Sequence, residues 1–295
     1  SPGDPLSFPA LPKRPEPPAQ QPPVPALLSD ITQGHRLVSL RAGPDALAHS
    51  VAYAPGAVMP PHAHARANIT LIISGALHES TEDHDYHAAP LSLIIKPSGA
   101  QHATTVSARA LHARVIELTP RLEQALRRDV SWFNRCTRVD SGPLLIATLN
   151  FWNSLSAPNL LPANRAAAVD AWLASITAAP PPPDPDQSAA ISPALALIAR
   201  NLADPINARS LADHLHIHPV SVTRQFSRAL GCGVMTQLRR MRVRAAADRL
   251  AAGLTPIARI AAELGFADQA HLTRSFRRET GLTPALYRRM TTAWN

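Results

Sequence analysis

The chain has 295 residues, a formal net charge of +8, 30 Pro and two Cys. This length is enough for two domains, each with its own core. Cys136 and Cys232 form no disulfide framework and no metal-ligand spacing, so a reducing, cytoplasmic setting is expected. No apolar run reaches the roughly 18 residues of a membrane span, and the chain does not start with a signal-peptide pattern. A soluble protein without a membrane partner is predicted.

The positive charge is concentrated in the last third of the chain. Residues 191–295 contain 15 Arg, no Lys and 6 acidic residues, which sum to +9, whereas the preceding residues hold 14 basic and 15 acidic groups and sum to −1. A basic domain joined to a nearly neutral one favours a polyanion as the partner of the basic part. A solubilising surface is the alternative, and charge alone does not decide between the two.

The first third of the chain contains two types of sequence. Residues 1–29 are rich in Pro and predict a disordered tail. Residues 30–118 contain short β-type runs such as "HSVAYAP", "ANITLIISG" and "LSLIIKPSG", separated by turn residues. Several short strands at close spacing are typical of a sandwich or a barrel.

Helical periodicity follows in residues 119–178. Leu145, Leu149 and Trp152 lie at i, i+4 and i+7 and form an apolar stripe. Either the barrel or a second copy of the protein could cover this stripe. We predict that residues 119–178 form a helical dimerisation segment. Residues 179–190 begin with "APPPPDPDQ" and predict an interdomain linker.

One helical pattern occurs twice in residues 191–295. "SVTRQFSRALG" starts at residue 221 and "HLTRSFRRETG" at residue 271, and the two share Thr, Arg, Phe, Arg and Gly at an offset of 50. In the second copy Pro256 suits a first helical turn, Gly265 a left-handed helix end and Asp268 an N-cap. The duplicated plan predicts two helix-turn-helix units.

Each second helix of these units has an inward and an outward face. Val222 and Phe226 lie on one stripe, as do Leu272 and Phe276, while Thr, Arg and Gln face outward. Arg and Gln are side chains that read base edges in the major groove. A solvated polar face is the alternative, but its duplication favours a reader of two grooves about 34 Å apart.

The stretch between the two units is a helical spacer rich in Arg. Arg239, Arg240 and Arg244 are candidates for contacts with the DNA backbone. The alternative for at least one of these arginines is a bridge between the subdomains.

"IARIAAELGFADQAHLTRSFRRETGLTPALYRR" resembles the signature of the AraC/XylS family of bacterial transcription regulators. The resemblance implies a domain of seven helices with two helix-turn-helix units. By position in the motif it implies these base-reading residues: Val220, Thr223, Arg224, Gln269, Ala270, His271, Thr273 and Arg274. The chain departs from the family at His218, where a small cap is usual, and at Gly233, where Pro is common. Val220 and Ala270 cannot hydrogen-bond a base, so the DNA sequence of the site stays open.

The N-terminal region contains a histidine pattern in "GAVMPPHAHARANITLIISG". His62 and His64 are two residues apart and would share one face of a strand, and His102 in "KPSGAQH" is expected to converge on them. The spacing resembles the two cupin motifs over residues 50–118. The resemblance implies a site for a divalent metal or a small effector at His62, His64, Asn68 and His102. Asn68 replaces the family's metal-binding Glu with a weaker, neutral ligand, so both kinds of ligand stay open.

Taken together, these patterns predict an α+β protein. It comprises an N-terminal cupin-like β-barrel with a helical dimerisation segment, and a C-terminal all-α domain with two helix-turn-helix units. The predicted function is that of a homodimeric, non-enzymatic transcription regulator. Its expected partners are double-stranded DNA, a small-molecule or metal effector and, for an activator, RNA polymerase. The alternatives are a metal-dependent cupin enzyme that carries a DNA-binding domain, and a constitutive architectural DNA-binding protein.

Overall fold

The structure is a computed structural model that describes residues 38–41, 46–155, 162–181 and 191–292. The tail predicted for residues 1–29 and most of the predicted linker lie outside the described residues.

The N-terminal part is built from two antiparallel sheets. A six-stranded sheet has the order β1-β2-β9-β4-β7-β10, and a four-stranded sheet has the order β3-β8-β5-β6. The strands are β1 (Val38–Arg41), β2 (Ala46–Tyr53), β3 (Val58–His62), β4 (Asn68–Ser74), β5 (Leu77–Thr81), β6 (Asp85–Ala88), β7 (Leu93–Lys96), β8 (His102–Val106), β9 (Leu111–Leu118) and β10 (Thr137–Val139). Their inner faces share an apolar cluster that includes Ile72 and Ile94 from the larger sheet and Leu77 and Val106 from the smaller one.

The six-stranded sheet is buried on both faces. All seven residues of β4 are buried, and alternate residues belong to different apolar clusters, with Ile72 inside the barrel and Ile69 and Leu71 on the outer face. A sheet with one face towards solvent would alternate apolar and polar residues. The continuous apolar run of β4 therefore requires other elements to cover the outer face.

The first helices of the chain provide part of this cover. They are α1 (Pro120–Asp129), a 3-10 helix (Ser131–Asn134), α2 (Pro143–Leu155) and α3 (Pro162–Thr177). β10 lies within the segment predicted to be helical and pairs with β7. Its β-branched Thr137 and Val139 are buried on one face, which suits a strand, but three residues are too few to show a period.

The apolar stripe of α2 is covered within the same chain. Leu145, Leu149 and Trp152 are at most 2% exposed. Phe151 stacks on Trp172 of α3 with ring centroids 5.1 Å apart, and the guanidinium of Arg114 in β9 lies 5.1 Å from the Trp152 ring centroid. The partner of the stripe is thus the barrel and the neighbouring helices rather than a second copy.

Seven helices follow in residues 191–292. They are α4 (Ser192–Arg200), α5 (Ala208–Leu215), α6 (Pro219–Leu230), α7 (Val234–Ala252), α8 (Ile257–Glu263), α9 (Gln269–Thr280) and α10 (Pro284–Thr292). The α+β fold class is therefore confirmed. The local rules also hold in the second unit, because Asp268 accepts a hydrogen bond from His271 N at 2.6 Å and Gly265 has a φ of +72°.

The two helix-turn-helix units belong to different apolar cores. The first core comprises residues of α4, α5, α6 and the first half of α7, including Val222, Phe226 and Leu238. The second core joins the second half of α7, α8, α9 and α10 to α1–α3 and to the outer face of the six-stranded sheet. The second unit therefore shares its core with the six-stranded sheet and α1–α3, and the first unit does not. The two sheets and α1–α3 together, residues 38–177, correspond to the part of the chain predicted to bind an effector and are called the sensor domain from here on.

Polar contacts reinforce the junction between the second unit and the sheet. The Tyr287 hydroxyl donates to Ile73 O at 3.3 Å, and Arg114 donates to Met290 O. Asp248 of α7 accepts a hydrogen bond from Gly75 N at 3.1 Å.

A further ion-pair cluster joins α7 to the sensor domain. Arg244 Nη2 lies 2.8 Å from Asp140 Oδ1 and 3.2 Å from Leu91 O, and Arg138 Nε lies 3.1 Å from Asp140 Oδ2. Burial alone would raise the pKa of Asp140, but the guanidinium groups of Arg244 and Arg138 outweigh it and hold that pKa well below its ordinary value. Asp140 therefore stays ionised between the two arginines.

Replacing Gly265 with Ala is expected to destabilise the fold by about 3 kcal/mol, because the substitution combines a positive φ with a steric clash. A Cβ atom at Gly265 would lie 2.5 Å from Ala203 O, whereas one at Gly231, whose φ is +62°, meets nothing within 4 Å. Gly231→Ala is the matched control and is expected to cost about 1 kcal/mol. Denaturant titration measures both, and equal losses would contradict the close approach at Gly265.

Replacing Asp140 with Asn removes the charge that pairs with Arg244 and Arg138 and is expected to lower the free energy of unfolding at neutral pH. The expected loss is only about 1 kcal/mol, because the carboxylate is 37% exposed and solvent screens the ion pair. The folded-state pKa is lowered, so the stabilisation is present above the unfolded carboxyl pKa, about 3.9, and is lost as the pH falls through the folded value. The difference between wild type and variant should therefore shrink below about pH 4. Asp129→Asn, at an exposed pair with Arg128, is the control. A pH-independent loss in Asp140→Asn would contradict the ion-pair assignment.

Candidate functional site

Three histidines meet at one end of the barrel. His62 in β3 lies opposite His102 in β8, and His64 follows two residues after His62. The ring centroids are 4.3 Å apart for His62 and His102, 4.9 Å for His64 and His102, and 5.1 Å for His62 and His64. One ligand atom from each residue lies within 4.8 Å of the other two. The structure thus brings together the three imidazoles singled out in the sequence.

Backbone carbonyls orient two of the three rings. Nδ1 of His62 lies 2.8 Å from Pro60 O, and Nδ1 of His102 lies 3.0 Å from Ala100 O. Because a carbonyl only accepts, each Nδ1 carries the proton and each Nε2 presents a lone pair. Nε2 of His102 is buried and has no hydrogen-bond partner among the residues that the structure describes. A buried, unpartnered acceptor at the meeting point of three imidazoles suits a metal ligand.

The barrel interior keeps these imidazoles neutral. Burial, assisted by the positive charge of Lys96, lowers the pKa of His102 to about 2 and that of His64 to about 3. Neutral imidazole is the form that binds metals. Lys96 Nζ is 2.9 Å from Oε1 of Glu79, and the two side chains are 9% and 0% exposed. Glu79 thus balances the charge of Lys96 in a buried ion pair. The pair was not predicted from the sequence. The available indication was Lys96 itself, a charged residue at an inward position of the apolar strand β7.

Asn68 lies on the inner face of β4, opposite Lys96 in β7. It is 4% exposed, and its amide oxygen accepts a hydrogen bond from the Thr70 hydroxyl at 3.2 Å. A neutral amide already engaged with Thr70 is a weaker ligand than a carboxylate. The donor set of the site therefore consists mainly of imidazole.

The two helices predicted to read DNA present their candidate residues at the surface. Val222 and Phe226 of α6, and Leu272 and Phe276 of α9, are at most 1% exposed. On the opposite faces the candidates fall into two sets. The exposed ones are Val220, Thr223, Arg224, Gln269, Ala270 and Arg274, and the partly exposed ones are His271 and Thr273.

Some of these side chains also make local hydrogen bonds. The hydroxyl of Thr223 donates to Pro219 O at 3.2 Å, and that of Thr273 to Gln269 O at 2.9 Å. Each threonine side chain thus keeps its methyl group and the lone pairs of its hydroxyl oxygen available for other contacts. His271 Nδ1 accepts from Ala267 N at 3.3 Å, which leaves Nε2 as its outward atom.

The side chain of His218 caps the N-terminus of α6. Nδ1 of His218 accepts a hydrogen bond from Val220 N at 3.2 Å, so an imidazole replaces the small polar side chain that commonly fills this position. Gly233, where the family commonly has Pro, is the N-cap residue of α7 and makes no side-chain cap.

The three arginines of α7 that were predicted to contact the DNA backbone pair with carboxylates of the protein. Arg239 Nε lies 3.0 Å from Glu279 Oε1, and Arg240 Nε lies 3.4 Å from Glu279 Oε2. Arg244 bridges to Asp140 of the sensor domain, which matches the alternative of an internal bridge. The physical reason is that α7 lies between subdomains, so contacts of these three residues with the DNA backbone would require their ion pairs to open.

Other arginines of the two units lie at the surface. Arg228 in α6, and Arg277 and Arg278 in α9, are exposed. They were not singled out in the sequence as DNA contacts. The available signal was the repeat itself, which places Arg228 and Arg278 at the same offset of 50 as the predicted base-reading positions.

Comparisons with known proteins agree with this architecture. The model of an AraC-like ligand-binding domain matches residues 46–216, and that of a helix-turn-helix domain matches residues 211–290. No curated protein matches the chain. Every helix in the described part of the chain is too short or too polar to span a lipid bilayer.

Three solved structures illustrate the likeness. ToxT from Vibrio cholerae, solved with an unsaturated fatty acid bound, is 13% identical, with 84% of this chain and 96% of that chain covered and a TM-score of 0.36. The AraC-like transcriptional activator CuxR is 15% identical over 70% of this chain and 78% of that chain, with a TM-score of 0.37. The C-terminal domain of AraT, a response regulator from Geobacillus stearothermophilus, is 27% identical; the match covers 34% of this chain and 83% of that one, with a TM-score of 0.32. Because the ligand-binding model spans more than half of the chain and a helix-turn-helix domain follows it, the chain belongs to the AraC family of transcription regulators.

Proposed function

We propose that this regulator senses a divalent metal ion through His62, His64 and His102, and that it reads DNA with α6 and α9. The observation that carries the metal assignment is the unpartnered, buried Nε2 of His102, which lies in a cluster of three ligand atoms within 4.8 Å of one another. Three imidazoles and an open position suit a borderline ion such as Zn²⁺. A small organic effector in the barrel is the second candidate, favoured by the neutral Asn68.

The proposed signal begins where the metal ligands join different parts of the barrel. His62 ends β3, His64 lies in the following loop, and His102 begins β8. The pairing of β3 with β8 is irregular between Met59 and His62, so ligation would fix a segment that the strand ladder alone holds weakly. A ligand that favours one arrangement of this segment shifts the population of the whole sensor domain towards it.

The proposed DNA contact uses two kinds of side chain. Arg224 and Arg274 are exposed on α6 and α9 and offer bidentate donors to guanine, while Gln269 suits adenine. Arg228, Arg277 and Arg278 add positive charge for phosphates. Homodimerisation and, for an activator, contact with RNA polymerase complete the proposal. The dimer would use a surface other than the buried stripe of α2.

Full-length, untagged protein is expected to bind about one divalent ion per chain at the histidine cluster. Elemental analysis and the visible absorption of added Co²⁺ measure this binding, and His62→Ala/His64→Ala should abolish it. His78→Ala/His87→Ala is the matched control, because this pair lies elsewhere, on β5 and β6 with ring centroids 4.7 Å apart. Equal metal content in all three proteins, or none in wild type, would contradict the metal site and leave the organic effector.

Replacing Arg274 with Ala is expected to weaken binding to a selected DNA site by roughly 10- to 100-fold, with a smaller effect on random duplex. Arg278→Ala should instead weaken binding to all duplexes alike, and it should reduce the slope of log affinity against log salt concentration by about 1. Arg259→Ala is the control, since Arg259 is 70% exposed but paired with Glu263 on α8. Fluorescence anisotropy at several salt concentrations measures these effects. An unchanged preference in Arg274→Ala would exclude α9 as a base reader.

A further inference from the structure

His218 presents an imidazole in one defined tautomer at the start of α6. Its Nδ1 accepts a hydrogen bond from Val220 N at 3.2 Å. A protonated imidazole has no acceptor atom, so this bond requires the neutral ring with its proton on Nε2. The residue is exposed, which leaves the Nε2–H group accessible. His218 therefore offers a fixed, uncharged N–H donor beside the helix that is proposed to read DNA.

The second unit contains an imidazole in the same state at a different position. Ala267 N donates to His271 Nδ1 at 3.3 Å, and the Phe266 ring contacts this imidazole edge-on, with ring centroids 5.3 Å apart. The position of the repeat that is equivalent to His218 is Asp268, whose carboxylate caps α9. A carboxylate thus suffices as the cap there, and the imidazole is supplied separately. Each unit carries an outward Nε2–H donor, although the two histidines are not at equivalent positions.

Another exposed histidine of the first unit has the opposite tautomer. Nδ1 of His214 in α5 lies 2.8 Å from Ser210 O. Since a carbonyl only accepts, Nδ1 carries the proton and Nε2 is an acceptor. A phosphate oxygen of DNA also only accepts, so it can bind the Nε2–H of His218 but not the bare Nε2 of His214. The hydrogen bonds of the chain thus distinguish the two imidazoles as ligands for an anion.

Exposed apolar side chains flank this donor. Ile217 is 36% exposed and Val220 is 56% exposed. The other large apolar side chains that are exposed in the described part of the chain are Val58, Met235 and Leu254. Val220 also lies at a predicted base-reading position, where an apolar side chain suits the methyl group of thymine. A duplex that approached α6 would therefore cover apolar surface on both sides of His218.

We propose that His218 contacts the DNA backbone, with its Nε2–H donating to a phosphate oxygen beside the base pairs that α6 reads. The inference rests on the proposed function, because it requires α6 to lie on DNA. An imidazole can cap the helix with one nitrogen and bind phosphate with the nitrogen on the far side of the ring. A hydrogen bond to a charged acceptor is stronger than one between neutral groups. The contact adds affinity without adding charge to the protein.

Fluorescence anisotropy of the full-length chain on selected and random duplexes, at about pH 8 so that imidazole is neutral, tests the contact. His218→Ser and His218→Asn keep a preferred N-cap but are too short to place a donor where Nε2 lies. Each is expected to weaken binding to all duplexes by about tenfold. The slope of log affinity against log salt concentration should stay unchanged, unlike in Arg278→Ala, because the donor is uncharged. His214→Ser, at the opposite tautomer, is the matched control and should bind as the wild type does.

Thermal denaturation of the same variants separates the contact from the cap. Both short variants should melt at the wild-type temperature, and an affinity loss that follows a loss of stability would overturn the proposal. Wild-type affinity in both variants, a loss confined to the selected duplex, or a slope lower by about 1 would also overturn it.

Arg224→Ala reports on α6 itself. Lost site preference in Arg224→Ala together with wild-type affinity in His218→Ser would leave the proposed function intact and overturn only the contact of His218. Unchanged preference in Arg224→Ala would contradict reading by α6, and with it both proposals.

Discussion

The fold depends on covering the outer face of the six-stranded sheet. Ile69, Leu71 and Ile95 on this face are fully buried, and burying each such side chain contributes about 1.5–3 kcal/mol. Helices α1–α3 cover one part of the face, and α7–α10 cover another. The second helix-turn-helix unit is thus a layer of the sensor core as well as part of the DNA-binding domain.

This constraint makes the two helix-turn-helix units unequal. The first unit has its own core, and it meets the rest of the protein along α7 and where the loop after α4 approaches Gly265. Arg242 of α7 secures this link by donating to Leu202 O at 2.7 Å and to Gly265 O at 2.8 Å. Under the proposed function, a ligand that changes the sensor domain would act directly on the second unit, while the first unit would respond through α7. The two helices proposed to read DNA belong to units that are attached to the sheet differently, which would allow their relative placement to vary.

Local rules made much of the DNA-binding domain predictable. Gly265, Asp268 and the inward stripe that contains Phe276 each follow from turn or helix chemistry within a few residues, and the repeat revealed the second copy. Strand parity predicted that His62 and His64 share one face of a strand; the structure does bring the two rings together, but β3 ends at His62 and His64 lies in the following loop, so parity is not the reason. Contacts between distant parts of the chain were not predictable, because no sequence period links Arg244 to Asp140. The same reason applies to Lys96 with Glu79 and to the intrachain cover of Trp152. Three-residue β10 was too short to show alternation.

The central claim is that the second helix-turn-helix unit belongs to the sensor core and the first unit does not. Hydrogen–deuterium exchange of the full-length chain, followed by mass spectrometry under increasing denaturant, tests it directly. Amides of α8–α10 are expected to lose protection together with those of β4 and β9, while amides of α4–α6 open at a different denaturant concentration. Loss of protection by α4–α10 as a single unit, separate from the sheet, would contradict the account.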